Sequence, residues 1–79
     1  MNNSEKLINA FSAALTISNE SIVDTLSYQS IPEWDSITHM VLITEIEDIF
    51  SISLSTEDII DMSSVAKAKE ILRNYKIEI

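Results

Sequence analysis

Ser36 follows Asp35 directly and stands three residues before His39, the only histidine. A helix through this stretch therefore brings a carboxylate, a hydroxyl and an imidazole within about one turn. A hydroxyl near an imidazole is the start of a nucleophile–base pair. The rest of a hydrolase is missing: with no glycine there is no oxyanion loop or strained elbow, and 79 residues leave little room for a substrate pocket. The chain is accordingly expected not to be an enzyme and to hold no catalytic residue, with His39 a partly exposed helix residue. A serine at a helix start suits a different chemistry. Its hydroxyl projects into solvent, and a phosphate attached there lies near the positive end of the dipole and the unpaired amides of the first turn. Metal chemistry is not expected. Asp58 and Asp61 lack the glycine turn and alternating oxygens of a calcium loop, and there is neither a second histidine nor any cysteine for zinc.

Helices must position these groups, because Pro32 is the only proline and the Asn-Gly and Asp-Gly turns that close tight hairpins cannot occur. Leu7, Ile8, Phe11, Ala14 and Leu15 recur at three- and four-residue steps, which predicts a first helix from Ser4 to Leu15 capped by Asn3 or Ser4. From Thr16 to Asp35 the pattern lapses into a long loop whose apolar residues (Ile22, Val23, Leu26, Tyr28 and Ile31) are expected to lie across the bundle and keep it ordered. Pro32 disfavours helix at Ile31. Asp35 then reads as the N-cap of a second helix from Ser36 to about Phe50. Ser55 to Asp58 start a short third helix through Met62, and Ser63 or Ser64 caps a fourth with Val65, Ala68, Leu72 and Tyr75 on one face. The expected fold is all-α: one domain over residues 1–79, a small four-helix bundle of three longer helices and one short, with a long loop between the first two.

Composition narrows the partners. An apolar share of 46% and a charged share of 23% fit a folded chain, and without cysteine its stability rests on packing alone. Reducing cytoplasm is an allowed setting. No apolar run approaches the roughly 20 residues that span a bilayer, and the start of the chain does not read as a targeting segment. A formal charge of −8 disfavours nucleic acid. Between Lys6 and Lys67 there is no cation, while Glu20, Asp24, Glu33, Asp35, Glu45, Glu47, Asp48, Glu57, Asp58 and Asp61 fall in that interval, so the middle of the chain suits a basic partner surface.

The second helix carries Ile37, Met40, Val41, Leu42, Ile43, Ile46, Ile49 and Phe50, more apolar residues than one buried stripe needs. One consistent arrangement turns Leu42, Ile46 and Phe50 inward and leaves Ile37, Met40, Val41 and Thr44 near the surface beside Asp48. That is an apolar patch with acidic edges.

The step Asp35-Ser36-Ile37 resembles the Asp-Ser-Leu signature that opens the second helix of acyl carrier proteins. The likeness extends through Trp34-Asp35-Ser36-Ile37, Ile46-Glu47-Asp48-Ile49-Phe50, Ile52-Ser53-Leu54 and Met62-Ser63-Ser64-Val65, and so covers nearly the whole chain. The resemblance implies a discrete carrier with phosphopantetheine, taken from coenzyme A by a phosphopantetheinyl transferase and magnesium, covalently attached to Ser36. Asp35 would assist that transfer. The terminal thiol would carry acyl or aminoacyl thioesters. Ile37, Met40, Thr44, Glu47 and Asp48 would meet the partners, which are acyl-loading, condensing or acyl-transfer enzymes with basic docking surfaces. Leu42, Ile46, Phe50, Leu54, Ile59 and Met62 would form the core that opens for an acyl chain. The best-known fatty-acid carriers commonly have acidic residues where Thr38 and Val41 stand, and a glycine just before the Asp-Ser. The Trp34-Asp35-Ser36 start is similar instead to discrete carriers of specialised lipid, polyketide, surface-polysaccharide and aminoacyl-transfer systems. A monomer in the cytoplasm is expected. The alternative reading is an acidic helical interaction module that is never modified, for which the same patch and charge suffice. Trp34, beside the attachment site, is expected either to pack on the loop or to contact the pantetheine arm.

Overall fold

Each helix begins at a side chain that bonds the amides of its own first turn, which is what a chain rich in Ser, Asn and Asp can do without glycine or proline punctuation. The computed structural model describes residues 1–79. Asn2 Oδ1 accepts the Glu5 amide at 2.8 Å and opens α1 (Asn3–Leu15). Asp35 opens α2 (Ser36–Phe50). Ser55 Oγ accepts the Asp58 amide at 3.1 Å ahead of α3 (Thr56–Asp61), and Ser64 Oγ accepts the Lys67 amide at 3.0 Å ahead of α4 (Val65–Asn74). The fold is an all-helical bundle of three longer helices and one short one. The expected α1 start at Ser4 is corrected by one residue and its cap moves to Asn2, because the Asn2 side-chain Oδ1 is the atom that accepts the Glu5 amide.

α1 packs chiefly on α2. Leu7, Ala10, Phe11, Ala14 and Leu15 of α1 meet Leu42, Ile43 and Ile46 of α2 and Val65, Ala68, Ile71 and Leu72 of α4 in one contiguous core. No helix is long and apolar enough to cross a membrane. Leu54 and Met62, buried at either end of α3, root a helix that has no fully buried residue of its own.

The 16–35 segment is a loop with internal order. It contains a 3₁₀ turn at Asn19–Ser21 and buries Ile22, while Leu26, Tyr28 and Ile31 lean on the core. Val23 departs from expectation at 51% exposure. Backbone bonds from Tyr28 N–H to Ser63 O (2.8 Å), Val65 N–H to Leu26 O (3.0 Å) and Ala66 N–H to Asp24 O (3.1 Å) stitch the loop to the start of α4. Lys69 adds an ion pair to Asp24 at 2.7 Å, at an exposed position where such pairs contribute little.

A chain without glycine must make its left-handed turns with other residues. Thr16 (φ 56°) ends α1 and Ser51 (φ 55°) ends α2 in that conformation. A β-branched side chain pays a steric cost there of roughly 1–2 kcal/mol. Thr16→Gly is therefore expected to stabilise the protein by about 1 kcal/mol, raising Tm by about 4–8 °C in a thermal melt.

Candidate functional site

The N-terminus of α2 is closed by a reciprocal cap. Asp35 Oδ1 accepts the amides of Ile37 (3.0 Å) and Thr38 (2.9 Å), and Thr38 Oγ1 accepts the Asp35 amide (3.0 Å) while donating to Glu33 O (2.6 Å). The bonds of this turn leave the Ser36 hydroxyl and amide free, and Ser36 is exposed. The first turn therefore offers an anion one open amide and the helix dipole, because Asp35, the N-cap expected from the sequence, takes two of the other amides. The Thr38 amide above all, aided by the Ile37 amide, holds the Asp35 carboxyl below its ordinary 3.8, against a smaller opposing effect of desolvation.

The sign of that shift sets a pH dependence. A carboxyl depressed in the folded state contributes stability above its unfolded pKa and loses it as pH falls through the folded value. Asn caps about as well as Asp and does not titrate there. The Tm difference between the native chain and Asp35→Asn is expected to shift in favour of the variant from about pH 5 to about pH 2.

Trp34, one residue before the cap, is fully buried. Its ring meets Phe11 edge-on at 5.3 Å and Tyr28 edge-on at 6.2 Å, and Nε1 donates to His39 Nδ1 at 3.0 Å. His39 lies in the second turn of α2 and bonds Ile59 O of α3 through Nε2 at 2.8 Å. Trp34 and His39 occupy the two positions of a hydrophobic staple, N′ and N4 around the Asp35 cap. That spacing is the signal from which the contact can be read in the sequence. Of the two expected placements for Trp34, the loop-packed one is found, and the anchor of the Ser36 segment is thus the chain's largest fully buried side chain. His39 is half-buried, with both ring nitrogens engaged.

Down the outer face of α2, Ile37 is 75% exposed, and Met40, Val41, Thr44 and Asp48 are exposed as well. Ile60 of α3, 73% exposed, adds to the solvent-facing apolar surface and lies on the cavity that His39 lines. Glu47 differs from its expected place among the partner-facing residues. It is half-buried, and its Oε2 accepts the Leu54 amide at 2.8 Å, so it ties down the α2–α3 connection. Of the acidic residues between Lys6 and Lys67, Asp24 alone is ion-paired, and the Asp58 carboxylate accepts the Tyr75 hydroxyl. The Asp58 bond raises the Tyr75 phenol above its ordinary 10.0.

Leu42, Ile46, Leu54 and Met62 are buried, and Phe50 and Ile59 are half-buried against them. Ile43 joins the buried set although the expected inward stripe omitted it. A concavity between α2 and α3 is lined by Tyr28, His39, Ile59, Ile60, Met62 and Ser63 and has a volume of about 220 Å³. Comparison of the chain with protein-family models, with curated proteins and with solved structures finds no match.

Proposed function

We propose that this chain is an acyl carrier protein whose Ser36 bears phosphopantetheine and which delivers acyl or aminoacyl thioesters to partner enzymes. The observation that carries the reading is a free, exposed hydroxyl at the first position of a rigidly capped helix, held by a buried tryptophan two residues earlier and bordered by exposed Ile37, Met40 and Val41. The resemblance from Trp34 to Val65 supplies the chemistry. Ser36 Oγ attacks the pyrophosphate of coenzyme A, forms a phosphodiester and releases adenosine 3′,5′-bisphosphate, with its proton passing to the transferase. Once bound, the prosthetic group supplies the thiol that holds the cargo. Asp35 keeps its charge beside the acceptor hydroxyl and assists magnesium placement during transfer.

Ile37, Met40, Thr44 and Asp48 form the face offered to loading, condensing or acyl-transfer enzymes, whose basic surfaces the largely unpaired carboxylates attract. The carrier itself is no enzyme and acts as a monomer in the cytoplasm, in a specialised lipid, polyketide or polysaccharide-related pathway. Leu42, Ile46, Phe50, Leu54, Ile59 and Met62 form the wall that parts if an acyl chain enters. An acidic docking module that is never modified would use the same exposed apolar residues. Incubation with coenzyme A, magnesium and a broad-specificity transferase separates the two. One phosphopantetheine gained in intact mass, and none in Ser36→Ala, is the expected result; no gain with several transferases would leave the docking module.

A further inference from the structure

We propose that His39 is a proton switch on the anchor of the Ser36 segment. The indole Nε1 carries a hydrogen and can only donate, so His39 Nδ1, 3.0 Å away, must be the acceptor of that bond. The neutral ring then has its hydrogen on Nε2 and donates it to Ile59 O at 2.8 Å. This fixes a chain of two bonds, from the loop through α2 to α3, that only neutral imidazole completes. An imidazolium has no acceptor nitrogen. Protonation at Nδ1 sets N–H against N–H at the Trp34 contact, while the Nε2–H bond to Ile59 O remains favourable for a cation close to the C-terminus of α3.

The two rings are not equally free to respond. Trp34 is fully buried between Phe11 and Tyr28, whereas His39 is half-buried and lines the cavity between α2 and α3. Among titratable groups, Tyr28 of the loop shares that cavity and meets the His39 ring edge-on at 5.4 Å. On α2, Asp35 has its Oδ1 on the first-turn amides. On α3, the Asp58 carboxylate is on Tyr75 and Asp61 is exposed, and no residue of α4 lines the cavity. No carboxylate is hydrogen-bonded or ion-paired to His39 to take over as partner for a protonated Nδ1. Acid therefore strips the buried Trp34 N–H of its acceptor and loosens what Trp34 holds. Its own backbone amide bonds Ile31 O, and its carbonyl accepts the Gln29 amide, just before the Ser36 cap. α3 stays attached. The switch concerns the mounting of Ser36 and does not depend on what is joined to it.

Trp34 and His39 are the only residues of their types, so each reports without labels interfering. The test follows the Trp34 indole N–H and the His39 ring by NMR as the solution is acidified, with the ring's own signals marking the interval in which it takes up its proton. Hydrogen exchange of the Gln29 and Trp34 amides is read alongside, divided by the intrinsic pH dependence. The expected result is an indole shift that tracks the His39 ring, with protection at Gln29 and Trp34 falling about five- to tenfold and protection in α3 unchanged. In His39→Gln, which does not titrate, the indole shift is expected to vanish. An indole signal that stays flat while the His39 ring titrates, unchanged protection at both amides, or an indole shift that persists in His39→Gln would each overturn the proposal.

Discussion

Trp34→Ala is expected to leave the chain largely unfolded at 25 °C, with helical circular dichroism lost and no cooperative melt above about 30 °C. Truncating a fully buried large aromatic costs roughly 3–5 kcal/mol, through lost transfer energy and the cavity left behind. A single core in a chain this small rarely supplies more than about 3–5 kcal/mol in total, so the loss cancels it. Phe11 and Tyr28 would lose the ring they pack on edge-on, and His39 Nδ1 would lose its donor. Trp34→Phe retains most of the packing and is expected to fold with a lower Tm. A Trp34→Ala protein that melts within a few degrees of the native chain would mean that the Ser36 segment is not mounted on the core in this way.

The second large effect falls on recognition. Ile37 is 75% exposed directly after Ser36, and an exposed apolar residue at that place adds nothing to the core. Ile37→Glu is expected to change stability by no more than about 0.5 kcal/mol, as surface substitutions generally do. Losing a central apolar anchor from an interface typically costs well over 1 kcal/mol, so modification of Ser36 at limiting transferase is expected to slow at least about tenfold. Measured side by side, thermal melts and transferase rates distinguish a docking residue from a structural one. Equal loss of stability and rate would assign Ile37 to the fold, and an unchanged rate would move the docking face elsewhere.

The readable parts of the sequence are those that local chemistry decides. Asp35 after Pro32, followed by a long apolar run, fixes the start of α2 because the cap, the proline restriction and the periodicity agree. The start of α1 is less sharply defined, since Asn2, Asn3 and Ser4 can all cap, and only the Asn2–Glu5 bond decides among them. The inward set on α2 was legible for Leu42 and Ile46. Ile43 follows only once α1 and α4 are both in place to cover a wider stripe. Features that depend on distant partners stayed out of reach. Glu47 looks like surface acid until the α2–α3 connection brings the Leu54 amide to it, and Val23 looks like an anchor until the loop turns it outward. Trp34 has the staple spacing with His39, yet its burial depends on Phe11, 23 positions back along the chain. At the Ser36 turn the Asp35 that starts the helix also occupies the Ile37 and Thr38 amides, as its place at the N-cap leads one to expect.

The central claim is that one hydroxyl, Ser36 Oγ, accepts the prosthetic group. Peptide-level mass spectrometry after transferase treatment tests it most directly, because this chain has many other serines on its surface and intact mass alone does not say which one reacts. The expected result is stoichiometric phosphopantetheine on the peptide containing Trp34-Asp35-Ser36-Ile37, localised to Ser36 and absent elsewhere. An unmodified Ser36 with several transferases, or the group found on a different serine, would contradict it.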